Sequence, residues 1–150
     1  MDKRFILLVE DNPKDEMLTL RALAKHHVTN KIEVVRDGEE ALNFLFGQGE
    51  YAARDTQDLP TVVLLDLKLP KMGGLQVLQE IRADQRTRLL PVVILTSSNE
   101  DRDILSGYQL GANSFVQKPI GFEEFSRSVA QLGLYWVLLN EPLPVEKVSV

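Results

Sequence analysis

The chain has 150 residues, of which 22 are acidic and 17 basic, and its formal net charge is −5. This length predicts one domain with an ordinary core, and an acidic balance without a basic run argues against direct nucleic-acid binding. Because the sequence has no cysteine, disulfides, thiolate zinc sites and thiol nucleophiles are excluded, and the chain fits a reducing cytoplasm.

The apolar segments are too short to cross a bilayer. The N-terminal run Phe5–Val9 stops at two acidic residues, and the longest later run covers only residues 132–139. A membrane helix needs about 20 apolar residues, so we expect no signal peptide, no membrane contact and a cytoplasmic location.

Five short apolar runs predict strands, and a helical pattern follows each of them. Their mostly continuous apolar character is typical of a parallel sheet that is covered by helices on both faces. We therefore expect an α/β fold, a doubly wound, five-stranded, flavodoxin-like sheet with strand order 2-1-3-4-5. The predicted strands are Phe5–Val9, Lys31–Val35, Val62–Leu65, Pro91–Thr96 and Asn113–Val116.

Capping residues mark where the helices begin. Asn12 as N-cap and Pro13 at the first helical position start the first helix, and Asp37-Gly38 starts the second. Further helices are predicted from about Gly74, after Ser97 to Asn99, and from about Phe122. We expect the core face of the first helix to consist of Met17, Leu20, Leu23 and Ala24.

The third predicted strand ends in a carboxylate, Asp66, which Pro70 and the pair Gly73-Gly74 follow. This pattern places Asp66 in a loop at the carboxyl end of a buried strand, which is where open α/β sheets bind ligands. Burial of a charge is costly unless a counter-charge, a metal or solvent reaches it. Asp66 is therefore a candidate for chemistry.

Other strand ends supply partners for Asp66, namely Glu10 and Asp11, Thr96, and Lys118. Three carboxylates brought together repel one another by about 4 kcal/mol per pair at about 4 Å and a surface-like dielectric. Oxygen ligands without histidine or cysteine favour Mg²⁺, which keeps coordination positions open for phosphoryl oxygens. The set predicts a magnesium site where a carboxylate nucleophile receives a phosphoryl group.

Each of these residues also has an ordinary structural interpretation. Glu10 and Asp11 are acids that suit the start of a helix, Thr96 is a common residue at a strand end, and Lys118 is compatible with a solvated surface position. Their joint occurrence, each at the carboxyl end of a separate predicted strand, favours one shared site.

These motifs resemble the receiver domain of two-component response regulators over about residues 4–134. Glu10 stands where Asp is more common in that family, and we expect the longer side chain to alter metal affinity but to keep the charge. The resemblance implies phosphoryl transfer from a phosphohistidine on a sensor histidine kinase. It rests on Glu10-Asp11, on Leu65-Asp66 with Pro70 and Gly73-Gly74, on Thr96-Ser97, and on Lys118-Pro119.

The resemblance also implies a role for each site residue. The chain would then be a phosphorylated signalling protein rather than an enzyme, with at most self-phosphorylation and autodephosphorylation. Asp66 is the phospho-acceptor; Asp11, Asp66 and the Lys68 backbone carbonyl bind Mg²⁺; Glu10 acts on the metal mostly through water; Thr96 and Phe115 form the switch pair; and Lys118 holds the phosphoryl group.

No output domain follows the pattern, so we expect a stand-alone receiver of residues 1–134 with an extension of residues 135–150. The long loop of residues 47–60 and the Tyr135-Trp136 tail are similar to single-domain regulators that serve bacterial phytochrome kinases. The tail is richer in apolar residues than a finished domain needs. We expect a homodimer through the last helix and this tail, the alternative being that the tail folds over its own core.

Three other functions fit parts of the pattern. A haloacid-dehalogenase-like phosphohydrolase also uses a strand-end Asp, but it needs a second Asp two residues later, where this chain has Lys68. A dinucleotide-binding or flavodoxin-like protein needs glycines in the first loop, where this chain has acids. A receiver-like interaction module without phosphorylation would not need the complete set of site residues.

Overall fold

A five-stranded parallel sheet forms the centre of the molecule, with strand order β2-β1-β3-β4-β5 as predicted. The structure is a computed structural model that describes residues 4–25, 30–96 and 101–117, together with residues 123, 124, 127, 128 and 131. The elements are β1 Phe5–Val9, α1 Pro13–Lys25, β2 Lys31–Val35, α2 Gly38–Phe46, a 3₁₀ turn Gly49–Tyr51, β3 Val62–Leu65, α3 Gly74–Ala83, β4 Val92–Thr96, α4 Asp101–Gln109 and β5 Ser114–Gln117.

Alternating residues of the strands form two separate cores, one on each face of the sheet. Leu7, Val63 and Ile94 point towards a core that includes residues of α2 and α3. Ile6, Leu64 and Val93 point to the other face, where Ala22 and Leu23 of α1 pack. Helices on both faces explain why the strand sequences are apolar throughout.

Helix α1 begins as predicted, but its buried face differs from the prediction. Asn12 caps the helix, because its Oδ1 accepts a hydrogen bond from the Lys14 N–H at 2.9 Å. The buried residues are Thr19, Ala22 and Leu23, whereas Met17 is 52 % exposed and Ala24 is also exposed. Of the predicted core face, only Leu23 is fully buried. Thr19 is buried in place of a larger apolar residue, and its hydroxyl donates to the Asp15 carbonyl oxygen at 2.8 Å.

The strand limits at β4 and β5 differ slightly from the predicted ones. Strand β4 begins at Val92 rather than Pro91, which has no N–H to donate to a ladder. Strand β5 spans Ser114–Gln117 because the Asn113 N–H bonds to the Val92 carbonyl oxygen before the pairing starts. Gly111 ends the α4 segment with a left-handed φ of 98°.

The long loop of residues 47–60 is held to α2 by a guanidinium. The Arg54 Cζ lies 3.8 Å from the centre of the Phe44 ring, and its Nη1 and Nη2 donate to the carbonyl oxygens of Phe44 and Asp58. Tyr51 packs edge-on against Phe44 and donates its hydroxyl to Glu40 Oε1 at 3.0 Å. Side chains of the loop therefore order a segment that has only one short turn.

A second guanidinium joins the turns at the other edge of the sheet. Arg82 Nε and Nη2 both donate to the Gly111 carbonyl oxygen, at 2.9 and 2.7 Å, and Nη1 donates to the Leu90 carbonyl oxygen at 2.6 Å. Burial lowers the pKa of Arg82. These bonds tie the end of α3 to the turns that enter β4 and β5.

Among the described residues, no helix is long and apolar enough to cross a membrane. The predicted helix from about Phe122 is described only at residues 123, 124, 127, 128 and 131, which are helical. The predicted caps at Ser97 to Asn99 and the segment 132–150 lie outside the described residues.

Tyr51 provides a pH-dependent test of the loop structure. Burial and the hydrogen bond to Glu40 raise the pKa of Tyr51 from 10.0 to about 12. A raised folded-state pKa stabilises the fold below the ordinary pKa, and this contribution is lost as the pH rises through the folded pKa. We expect the wild type to lose unfolding free energy between pH 10 and pH 12, and Tyr51→Phe to lack this loss.

The measurement is urea unfolding at several pH values, together with tyrosinate absorbance. The chain has three tyrosines, and Tyr108, which is 50 % exposed on α4, supplies the control variant Tyr108→Phe. The control should keep the late transition. An unchanged pH dependence in Tyr51→Phe would contradict the raised pKa of Tyr51.

Candidate functional site

The register of the central strands brings two of the predicted site residues to the same level. Val9 and Leu65 are partners across β1 and β3, so Glu10 and Asp66 leave their strands side by side. The Asp66 N–H donates to the Val9 carbonyl oxygen at 3.1 Å, and the Glu10 N–H donates to the Val35 carbonyl oxygen at 3.0 Å. Both backbones are therefore held by the sheet at its carboxyl edge.

Glu10, Asp11 and Asp66 form one acidic cluster. One carboxylate oxygen from each residue lies within 4.8 Å of the other two. Glu10 is 2 % and Asp66 8 % exposed, whereas Asp11 is exposed to solvent. Two of the three carboxylates are buried and the third faces solvent. Such a set of oxygen ligands fits a hard divalent cation that keeps part of its hydration shell. The cluster therefore fits a divalent metal ion.

The loop that follows Asp66 folds back on it. The Lys68 N–H donates to Asp66 Oδ1 at 3.2 Å, and the Gly74 N–H donates to the Leu67 carbonyl oxygen at 2.9 Å. A Cβ atom on Gly74 would overlap the Asp66 carbonyl oxygen and lie 2.7 Å from the Leu67 Cα. Only glycine allows α3 to start this close to the site.

Thr96 lies on β4, which pairs with β3, and Phe115 lies on β5, which pairs with β4. Thr96 is the last residue of β4 and is fully buried. Phe115 is the partner of Ile94 across β4 and β5, and it packs half-buried against the same core as Ile94. Because side chains alternate along a strand, Thr96 and Ile94 point to the same face, so the predicted switch pair shares one face of the sheet.

The structure thus brings together Glu10, Asp11 and Asp66, and it places Thr96 and Lys68 at the same edge. Lys118 lies outside the described residues, and it directly follows Gln117, which pairs with Thr96. The tail from Tyr135 also lies outside the described part of the chain.

An ion pair beside the acidic cluster was not predicted from the sequence. Arg36 Nη2 lies 3.1 Å from Glu16 Oε1 and also donates to Glu16 Oε2 at 3.1 Å. Arg36 directly follows Val35, which accepts the Glu10 N–H, so the ion pair joins α1 to the end of β2 beside Glu10. No local sequence signal joins two residues 20 positions apart.

Residues 6–130 match the family described as the response regulator receiver domain. The chain belongs to this family. It is accordingly a receiver-domain response regulator of two-component systems, and the fold and family expected from the sequence are confirmed.

Several similar proteins are known for this receiver domain. The probable methanogenesis regulatory protein FilR2 of Methanothrix harundinacea is 41% identical over 93% of this chain and 87% of its own length. Response regulator Rcp1 of Synechocystis is 34% identical over 89% of both chains. Its Mn²⁺-bound crystal structure covers 94% of this chain and 99% of its own, with a TM-score of 0.86 and 32% identity.

The structure of the bacteriophytochrome response regulator AtBRR is more similar in sequence. It is 51% identical to this receiver domain, covers 94% of this chain and 100% of its own, and has a TM-score of 0.74. Relatives of this kind support phytochrome regulators as the finer resemblance, as expected from the long loop and the tail.

Family membership excludes two of the three alternatives left by the sequence, whereas a receiver-like module without phosphorylation would match the same family. The phosphohydrolase and dinucleotide-binding interpretations are wrong, because the match to the receiver family covers both the Asp66 strand and the acidic first loop. The acidic cluster and the Mn²⁺-bound relative agree with a divalent metal at this edge of the sheet.

Removal of one carboxylate from the cluster should have opposite effects with and without metal. We expect Asp11→Asn to raise the melting temperature in the absence of divalent ions, because it relieves repulsion. The same variant should lose most of the rise in melting temperature that Mg²⁺ gives the wild type, because a ligand that binds only the native state stabilises it.

The test is thermal unfolding with Mg²⁺ and with a chelator. Glu80→Gln is a matched control, since it removes one negative charge from an exposed position of α3. It should behave as the wild type does in both conditions. An equal Mg²⁺ effect in Asp11→Asn and wild type would contradict a metal site that includes Asp11.

Proposed function

We propose that this receiver accepts a phosphoryl group on Asp66 from a phosphohistidine of a sensor histidine kinase. An Asp66 carboxylate oxygen forms the new bond to phosphorus, the phosphorus–nitrogen bond breaks, and the imidazole leaves with its electron pair and takes up a proton. The observation that carries the proposal is the position of Asp66 in a cluster with Glu10 and Asp11, in a chain of the receiver family.

Asp66 is held for attack by the backbone around it. Its own N–H is bonded to β1, and the Lys68 N–H donates to Oδ1. These contacts fix the carboxylate while the solvent side, where Asp11 is exposed, stays open to a phosphoryl donor. Positioning and charge stabilisation are most of what phosphoryl transfer requires from a protein.

The metal ion is proposed to be Mg²⁺, held by Asp11, Asp66 and the backbone carbonyl oxygen of Lys68, with Glu10 acting mostly through water. A bound Mg²⁺ would neutralise charge on the phosphoryl oxygens. Carboxylates and a carbonyl oxygen match the preference of this ion, whereas no sulfur or imidazole ligand is present in the described cluster.

Lys118 and Thr96 are proposed to act on the phosphoryl group, and Phe115 to respond. The Lys118 ammonium would neutralise charge on the phosphoryl oxygens, and the Thr96 hydroxyl would turn to donate a hydrogen bond to one of them. Thr96 is buried and on the same face as Ile94, the strand partner of Phe115. Movement of Thr96 would therefore reach Phe115 through one packed face of the sheet.

A kinase of the phytochrome type is proposed as the phosphoryl donor. The support is the similarity to AtBRR, a bacteriophytochrome response regulator at 51% identity, which exceeds the 41% identity to the methanogenesis regulator FilR2. The long loop of residues 47–60 is one of the two features on which the sequence resemblance to phytochrome regulators rests. In the structure, the stacking of Arg54 on Phe44 holds this loop to α2.

Phosphorylation of Asp66 is tested with acetyl phosphate or a phosphorylated phytochrome-type kinase in the presence of Mg²⁺. We expect intact mass measurement to detect one added phosphoryl group that is labile at alkaline pH, because an acyl phosphate hydrolyses there. Asp66→Asn should take up none, since it lacks the nucleophilic carboxylate.

Asp58→Asn is the matched control, because it makes the same chemical change at an exposed loop position. It should be labelled as the wild type is. Wild-type labelling of Asp66→Asn would refute Asp66 as the acceptor, and hydrolysis of free phosphate esters by the wild type would argue for an enzyme instead.

The tail of residues 135–150 is proposed to form a homodimer contact together with the last helix. Its sequence contains Tyr135, Trp136 and four leucine or valine residues within nine positions, and contiguous apolar residues of this kind commonly form partner surfaces. The proposal treats residues 1–134 as the receiver domain and the tail as its extension.

Light scattering over a concentration series tests the dimer. We expect the wild type to dimerise, and Trp136→Ala or removal of the residues after Asn140 to shift the equilibrium towards monomer, because apolar contact area is lost. Leu89→Ala is the control, since Leu89 is 57 % exposed in the turn after α3. A wild type that stays monomeric throughout would end the proposal.

A further inference from the structure

We propose that the first turn of α2 sets the position of the Asp66 loop, and that Gly38 is a positioning residue for the metal and phosphorylation site. The inference rests on the proposed function. The Asp66 loop is defined as residues 66–73, which connect β3 to α3.

The base of the Asp66 loop is closed by α3. The Gly74 N–H bonds to the Leu67 carbonyl oxygen, and the absence of a Cβ on Gly74 lets its backbone contact that of Asp66. Any movement of the loop that shifts the start of α3 therefore acts directly on the backbone of Asp66.

The tip of the Asp66 loop rests on α2. Gly38, the first residue of α2, is buried, and a Cβ atom built on it would overlap the Met72 carbonyl oxygen. The same atom would lie 2.8 Å from the Met72 Cβ and 2.8 Å from the Val77 Cγ2. A backbone oxygen and a Cβ cannot rotate away from this contact, so the start of α2 and the loop would have to move apart.

Ion pairs hold the same two segments together. Lys71 Nζ lies 3.6 Å from Asp37 Oδ2 and 4.0 Å from Glu39 Oε2. Asp37 also caps α2, since its Oδ1 accepts the Glu40 N–H at 2.7 Å. The residue that starts α2 thus also binds the loop, and Lys71 adopts a left-handed φ of 65° at this point.

The chain of contacts runs from Gly38 through Met72 to Gly74 and Asp66. The Lys68 N–H, which bonds to Asp66 Oδ1, belongs to the same loop. Mg²⁺ demands near-ideal octahedral geometry, so a small shift of the loop costs more in metal affinity than in stability of the sheet. Helix α2 contributes no ligand from its first turn and yet controls where the loop presents its ligands.

Two glycine substitutions separate position from stability. Neither Gly38 nor Gly73 has a positive φ, so alanine is compatible with the backbone at both positions. Gly73 lies within the loop, but the nearest atom to a Cβ there is the Leu67 carbonyl oxygen at 3.8 Å. Gly73→Ala changes the N-cap residue of α3 but leaves the loop in place. Gly38→Ala is expected to displace the loop, although Gly38 itself belongs to α2.

The experiment measures Mg²⁺ dissociation constants by calorimetry on folded protein, together with thermal unfolding in chelator. We expect Gly38→Ala to weaken Mg²⁺ binding by about tenfold or more, and Gly73→Ala to stay within about twofold of wild type, in line with the loss seen when supporting residues of a metal site are changed. Wild-type affinity in Gly38→Ala would overturn the inference.

Amide hydrogen exchange on the wild type gives a second measurement that does not depend on a variant. The Glu40 and Ala41 N–H groups both bond to Asp37 at the start of α2, and by linkage Mg²⁺ should slow their exchange as well as that of the Asp66 loop. If Gly38→Ala does not fold, this result decides. Protection confined to the loop would overturn the inference.

The proposed function and the positioning role of α2 can be distinguished by experiment. A wild type that binds no Mg²⁺ and accepts no phosphoryl group would overturn the proposed function and the inference with it. A wild type that does both, with unchanged Mg²⁺ affinity in Gly38→Ala, would overturn only the positioning role of α2.

Discussion

The mutual repulsion of three carboxylates is the constraint on which this receiver depends. Glu10, Asp11 and Asp66 place oxygens within 4.8 Å of one another at one edge of the sheet. At a surface-like dielectric, each pair at about 4 Å costs about 4 kcal/mol. The fold tolerates this repulsion because the sheet is well packed on both faces. The same repulsion favours the binding of a divalent cation, which neutralises the carboxylates. Stability and function therefore oppose each other at this edge.

The two ends of the sheet are built in different ways. At the end that lies away from the acidic cluster, Arg82 binds the carbonyl oxygens of two turns and fastens α3 to the entries of β4 and β5. At the functional end, close glycine contacts act together with the ion pair between Lys71 and Asp37. Gly74 touches Asp66 and Gly38 touches Met72, so the site is shaped by close backbone approach. The glycine contacts transmit small displacements, because the atoms that touch are backbone atoms or lie next to the backbone.

This arrangement gives α2 a part in a site to which it contributes no ligand. Asp37 is the N-cap of α2, and its carboxylate also forms an ion pair with Lys71 of the Asp66 loop. The loop of residues 47–60 in turn reaches the start of α2, since Tyr51 donates to Glu40. A surface loop that lies outside the acidic cluster is thus connected to the Asp66 loop through α2.

The sequence alone determined the element order, the strand order and the carboxylate set, because continuous apolar strands, capping residues and polar strand ends are local signals. It also predicted the start of α1 at Asn12-Pro13. It failed on the buried face of α1, where Met17 is exposed and Thr19 is inside. A helix with apolar residues on several sides does not show which side the sheet will cover.

Only the tertiary structure decided how the site is supported. The overlap that a Cβ on Gly38 would make with Met72, and the pairing of Arg36 with Glu16, join residues that are far apart in the chain. No periodicity or motif encodes such distances, because they depend on how helices and loops pack after the strands have aligned. The sequence determined which carboxylates gather at the carboxyl edge of the sheet, and packing determined how closely they are held.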